Sequence, residues 1–362
     1  MRSAVCSVLL SAVIAAARAG AADPDVRTLI AGGHWKQARA LLEPRVKAKP
    51  SDADAAAGLS AVREAYGDLD AALDLAERAV KLQPTVAAYH WQLADVVGNQ
   101  AEKASVFRQF GLARRFRDEA ETTIKLDARH IEARLALIAF FIRAPGLIGG
   151  DRKKADVMVD EIARIDPGAG QLARAQVLKE SKATGDFETL FRQASETAKA
   201  PDVKYDATLS LMNWYLTQKP SRIDDAVREA RALVALDPQR IAGYRALAGI
   251  YVGLGKYAEL DAVLADSEKA IPDNLTPFYR AASTIVVQSS DLPRAERYLR
   301  KYLTQEPEAG AAAPAFAHWR LGQVLEKEGK RAEAISELEL CAKLKPDFED
   351  GKKDLARVRA AR

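Results

Sequence analysis

The stretch His318-Trp319-Arg320-Leu321-Gly322, followed by Leu325, Gly329, Ala334, Leu338, Cys341 and Pro346, decides the fold. Leu321 and Leu325 stand four residues apart, and Ala334, Leu338 and Cys341 stand at i, i+4 and i+7. Each set marks one face of an α-helix. Gly329 supplies the left-handed turn between two helices, and Pro346 stops the second. The stretch therefore reads as a helical hairpin. The same hairpin is written at Tyr244, Leu247, Ala248, Tyr251, Gly255, Tyr257, Leu260, Leu264 and Pro272. The unit returns roughly every 34 residues.

Working outward, the chain divides into about nine such units. The first runs from Pro24 to Pro50, with Trp35, Ala38 and Leu42 on its second helix. The next runs from Ala53 to Pro84, with Leu59, Gly67, Ala72, Ala76 and Ala79 in register. The third opens at Ala87-Ala88-Tyr89 and has an extended second helix, expected from Glu102 to Leu126. The fourth opens at Ile131 and carries an inserted loop, Ala144 to Gly150. Asp151 then reads as the N-cap of a helix through Ile165, closed by Asp166-Pro167. Later units cover Gln171 to Asp202, Tyr205 to Pro238, Ile241 to Pro272 and Leu275 to Pro307. Glu308 to Pro314 is a spacer before the final hairpin. Residues 347–362 are polar and rich in Lys and Arg, as a helix capping the array must be.

These spacings resemble the tetratricopeptide repeat, W-x2-L-G-x2-Y, then A-x3-F, then P. Trp319 sits one place later than the motif's Trp, and Ala248 replaces the Gly of the L-G pair in one unit. The extended helix and glycine loop also resemble a variant found in bacterial exported proteins with these repeats. The resemblance implies an all-α fold, an α-solenoid wound as a right-handed superhelix over 23–346. It also implies binding of extended peptides or helices on the face lined by first helices. Carried over by position, that face comprises Trp91, Asp95, Asn213, Arg245, Tyr279, Trp319 and Gln323. Arg245 and Asn213 suit a peptide backbone or carboxylate, and the aromatics suit flat anchors. For Trp91 and Trp319 the competing reading is packing between helices. The family's paired Lys and Asn set for gripping a terminal carboxylate is not recognisable.

Bulk properties agree. The chain has 362 residues, 48% hydrophobic and 29% charged, in the range of folded soluble proteins. A net charge of +4 is weak for that length and speaks against nucleic acid as a partner. Residues 1–22 read as a signal peptide: Arg2, an apolar run from Val5 to Ala17, and small residues around Ala19-Gly20-Ala21. The run is too short to span a bilayer, and the mature chain offers no transmembrane segment. The expectation is export to a periplasm or cell envelope. With Cys6 in the leader, Cys341 is left alone at a small-residue position between helices, as a buried structural thiol.

Chemistry is sparse. His34, His90, His130 and His318 are scattered, none at metal-ligand spacing with a second His or Cys. No HExxH, GxSxG or phosphate-cradling glycine loop occurs. No catalytic group, cofactor or metal is expected. Arg108, Arg114, Arg115 and Arg117 alternate with Phe107, Phe110 and Phe116. They read either as a grip for an acidic partner or phosphates, or as a helix whose Phe side faces its neighbour and whose Arg side faces water. The second reading is preferred. In the inserted loop, Leu147 and Ile148 lie between Pro145-Gly146 and Gly149-Gly150. They either project to a partner or plug a gap beside the long helix, and the plug is preferred. The sequence thus points to a scaffold that binds a protein or peptide in cell-envelope assembly or trafficking. The alternatives are a ligand-holding component of an envelope transport system and an accessory subunit of an enzyme complex.

Overall fold

The structure, a computed structural model, describes residues 24–360; the leader call at 1–22, Cys6 and the last two residues of the capping segment lie outside them. Among the described residues all regular structure is helical, in 19 α-helices and one 3-10 turn. The helices fall into nine consecutive pairs and a final single helix, which is the all-α, hairpin-repeat architecture expected. Two compact units are formed, one of residues 24–31 and 37–207, the other of residues 32–36 and 208–360.

In the first unit the pairs are α1 Pro24–Gly32 with α2 Trp35–Ala48, α3 Ala53–Ala65 with α4 Leu69–Leu82, α5 Ala87–Lys103 with α6 Val106–Leu126, α7 Ile131–Arg143 with α8 Arg152–Ile165, and α9 Pro167–Glu180 with α10 Phe187–Thr197. Asp side chains open several of them, because the first amides of a helix have no partner inside it. Asp52 accepts from Ala55 N at 3.0 Å and Asp186 from Thr189 N at 3.0 Å. Asp166, buried, accepts from Ala169 N at 3.1 Å and from Lys199 and Ala200 N at 2.9 and 3.0 Å. One carboxylate thus starts α9 and fixes the turn that follows α10. The predicted Asp151 cap is present, accepting from Lys153 N at 2.9 Å. One boundary differs from expectation. The long third-unit helix does not begin at Glu102: α5 continues to Lys103, and the chain breaks at Ala104-Ser105 before α6.

In the second unit α11 Pro201–Thr217, which the division crosses, is followed by α12 Ile223–Leu236, α13 Ala242–Gly253 with α14 Tyr257–Ala270, α15 Thr276–Gln288 with α16 Leu292–Tyr302, α17 Pro314–Lys327 with α18 Arg331–Leu344, and the capping helix α19 Glu349–Ala360. Small residues set the helix spacing. Ala72, Ala76, Ala230, Ala295 and Ala334 are fully buried. At Gly322 a Cβ would lie 2.7 Å from Leu338 Cγ, so the glycine of the L-G pair lets α17 and α18 touch. Gly329, between those helices, has φ of 77°, the left-handed turn expected of it. Cys341 is buried, as expected, and burial raises its thiol above the ordinary range.

Within each unit the helices follow one packing rule. Successive first helices meet (α3 with α5, α7 with α9, α13 with α15, α15 with α17), while second helices meet the next first helix (α4 with α5, α8 with α9, α16 with α17). In the second unit α13, α15 and α17 therefore lie side by side, and in the first unit α3 lies beside α5 and α7 beside α9. α19 packs on both α17 and α18 and closes the row.

Candidate partner-binding site

On the first unit's face, Trp91 of α5 is half-buried against the α7–α8 core, its ring 5.4 Å from that of His130. His130 also caps α7, accepting from Ala133 N at 3.3 Å. Trp91 is thus chiefly a packing residue, the second of the two readings given for it. Asp95, one turn further, lies near Glu64 of α3. Glu64 accepts from Gln92 Nε2 and Asn99 Nδ2, each at 2.6 Å. Burial, then the charge of Asp95, pushes the Glu64 carboxyl up; burial, then Glu102, pushes Asp95 up. The two carboxyls cannot both ionise cheaply when close and poorly hydrated.

On the second unit's face, Asn213 of α11 and Arg245 of α13 are exposed. Tyr279 of α15 is half-buried with its ring 5.0 Å from that of Tyr302. Trp319 and Gln323 of α17 converge on one atom of the capping helix. Trp319 Nε1 donates to Asp354 Oδ2 at 2.7 Å and Gln323 Nε2 donates to the same oxygen at 2.9 Å. Trp319 also meets Phe348 edge-on at 4.9 Å, and the Arg320 guanidinium lies 4.2 Å from its ring centre. Trp319 is therefore a joint between the last hairpin and its cap.

Gln323 belongs to a groove. A cavity of about 570 Å³ lies between α15, α17 and α19, lined by Val286, Val287, Arg320, Gln323, Glu326, Lys327 and Arg357. Its floor is apolar and its walls are cationic. Val287 is 71% exposed, although its neighbour Val286 is buried. The cations are pre-positioned. Lys327 Nζ donates to Val286 O at 3.2 Å and to Ser289 Oγ at 2.6 Å. Arg357 pairs with Glu326 and, at 2.8 Å, with Asp354. Arg320 donates to Gln323 Oε1 at 2.9 Å, while its buried Nε has no hydrogen-bond partner. The lining thus sets an exposed apolar side chain, Val287, beside the donors of Arg320 and Lys327, with Glu326 taken up by Arg357.

Of the residues expected at the site, Gln323 lines this groove and Trp319 stands behind it. Asn213, Arg245 and Tyr279 lie on α11, α13 and α15 and are not among its lining residues. Sequence reasoning missed Val287, Arg320, Lys327 and Arg357. Arg320 and Lys327 were within reach, being three residues before and four after Gln323 and so on its helical face. Arg357 was read only as capping polarity. In the inserted loop, which forms the 3-10 turn Gly146–Ile148, the two readings divide. Leu147 is 87% exposed and Ile148 is buried. Arg117 of α6 donates to Ile148 O at 3.1 Å. Among the described residues no group of three or more His, Cys, Asp or Glu is placed to hold a metal.

The geometry is that of a helical-hairpin repeat. Residues 317–348 match the family model described as tetratricopeptide repeat. Among solved structures, one similar chain is that in the crystal structure of yeast Tom70. It is 12% identical, with a TM-score of 0.45, covering 92% of this chain and 86% of that one. Another is in the structure of Naa15/Naa10 bound to HypK-THB, 14% identical with a TM-score of 0.32, covering 92% of this chain and 65% of that one. No curated protein matches the chain. The matched segment is the last hairpin, and eight pairs of the same form precede it. Residues 317–348 are thus a tetratricopeptide repeat, and the preceding pairs repeat its helical-hairpin form. A repeat of this kind suggests a scaffold for protein interaction. No described helix is long and apolar enough to cross a membrane.

Proposed function

We propose that this protein is an exported scaffold of a periplasm or cell envelope that holds a segment of a partner protein on its first-helix face. The α15–α17–α19 groove is the principal seat. One observation carries the reading: the exposed apolar floor at Val287 walled by Arg320, Lys327 and Arg357. A segment placing a Leu, Ile or Phe near an Asp, a Glu or a terminal carboxylate fits both parts. The rigid wall loses little entropy on binding, and the partner segment bears most of that cost. The mixed lining favours a peptide over the small molecule of a transport component, which would call for a closed apolar pocket. Export rests on the leader composition; the test is an intact mass of protein from the native envelope fraction, expected to show a chain that begins near Ala22, and a chain beginning at Met1 would contradict it.

The test is Val287→Asp. Because this side chain is already solvent-facing, the fold is expected to keep its circular dichroism spectrum and melting temperature. Capture of the envelope partner is expected to fall about tenfold or more, since a carboxylate then occupies the apolar floor. Undiminished capture contradicts the placement of the site.

A further inference from the structure

The first twelve residues of α6, Val106 to Arg117, hold four arginines and no acid; Asp118, Glu119 and Glu121 all come afterwards. The preferred reading put the three phenylalanines of this stretch against a neighbouring helix. Only Phe116 obeys it, packing with Leu93, Val97 and Phe140. Phe107 is 95% exposed, Val106 65% and Phe110 44%. Phe107, Phe110 and Arg114 are spaced i, i+3, i+7, so they form one outward stripe. α6 touches α5, α7 and the 3-10 turn, all on its other sides. Arg115 and Arg117 are held by Glu77 and Asp118 at 2.6 Å each. Lys103, Arg108 and Arg114 are exposed, and among the described residues none has an acidic group within ion-pairing distance.

Isolated exposed apolar residues need no explanation, but a bare phenylalanine pair set among unpaired cations does. Phe107 and Phe110 stand in water beside cations, so a rigid protein partner would need an apolar and acidic groove to receive them. A bilayer surface needs no such match. It takes aromatic rings at the headgroup boundary and offers negative charge to cations around them. From this charge complementarity we infer that the outward face of α6 docks the protein on an anionic lipid surface. Phe107 and Phe110 enter the interface, with Lys103, Arg108 and Arg114 against the headgroups. The inference does not depend on the α15–α17–α19 groove.

The test is co-sedimentation of the full chain with vesicles of phosphatidylcholine, with and without phosphatidylglycerol. Binding is expected only to the anionic vesicles and is released by high salt. Phe107→Ser with Phe110→Ser is expected to lower the partition coefficient about tenfold for each phenylalanine removed. Arg108→Glu with Arg114→Glu is expected to abolish binding while leaving the melting temperature unchanged, which keeps the test open if the serine variant unfolds. Three results overturn the inference: no sedimentation with either vesicle, equal sedimentation with both, or binding indifferent to both pairs of substitutions. Concentration-dependent dimerisation that Phe107→Ser removes, with no lipid binding, also overturns it and assigns the patch to a second copy of the chain.

Discussion

Trp319 on α17 and Asp354 on α19 are joined by an indole-to-carboxylate hydrogen bond of 2.7 Å, and the same carboxylate oxygen takes Gln323. Burial acts to raise the Asp354 carboxyl, but the bonds from Arg357, Gln323 and Trp319 outweigh it and hold it below the usual range. One ionised group of the capping helix thus receives both α17 donors. Asp354→Ala leaves the indole and amide donors without their acceptor and is expected to cost about 1–3 kcal/mol. A depressed carboxylate pKa contributes stability above the unfolded value and loses it as pH falls through the folded value. The gap between wild type and variant should thus close in acid, which urea melts at neutral pH and near pH 3 would reveal.

A second expectation concerns helix spacing. Ala334 is fully buried, and its carbonyl sits beside Gly322. Ala334→Leu has no room without parting α17 from α18, and is expected to cost about 1–3 kcal/mol. A calorimetric trace identical to wild type would contradict this packing.

Glu308 gives a pH dependence of the opposite sign. Burial pushes its carboxyl up to about 7, although the Lys36 amide donates to its Oε2 at 3.2 Å. In the unfolded chain a glutamate titrates near 4.3. The folded state therefore binds the proton more tightly. Its contribution is full below about pH 4 and declines as pH rises through about 7. Glu308→Gln is expected to remove that decline. Melting temperatures of the two proteins should converge in acid and diverge in the variant's favour toward pH 8.

The inserted loop separates into two residues with different fates. Leu147→Ser should leave the melting temperature unchanged because the side chain is already in water. Ile148→Ala should cost about 2 kcal/mol or more by emptying a buried position. Equal effects from the two would mean that the loop is not held as described.

The hairpins were legible because their signals are local. The i, i+4, i+7 rows, the glycine at the turn and the closing proline all sit within one unit, so Leu321, Gly329, Ala334 and Pro346 suffice to write a hairpin. The break at Ala104-Ser105 was placed a few residues early, at Glu102, since no glycine or proline marks it and Ser105 makes no side-chain cap hydrogen bond. The binding face was only half visible. Helical spacing identifies which residues share a face, hence Gln323. A groove between α15, α17 and α19 depends on residues 286 and 357 meeting 320, and no short-range spacing encodes that. Phe107 and Phe116 show the same limit, for identical residue types on one helix end in water and in core.

The most direct measurement places a photo-crosslinking residue at Val287, in the groove, and separately at Leu340 on α18, exposed and outside the groove lining. Both variants are irradiated in the native envelope fraction and the adducts identified by mass spectrometry. The account predicts one recurrent protein adduct at position 287, mapping to an extended segment with an acidic residue beside an apolar one, and none of it at position 340. The same adduct at both positions, or at 340 alone, would contradict a partner seated on the first-helix face.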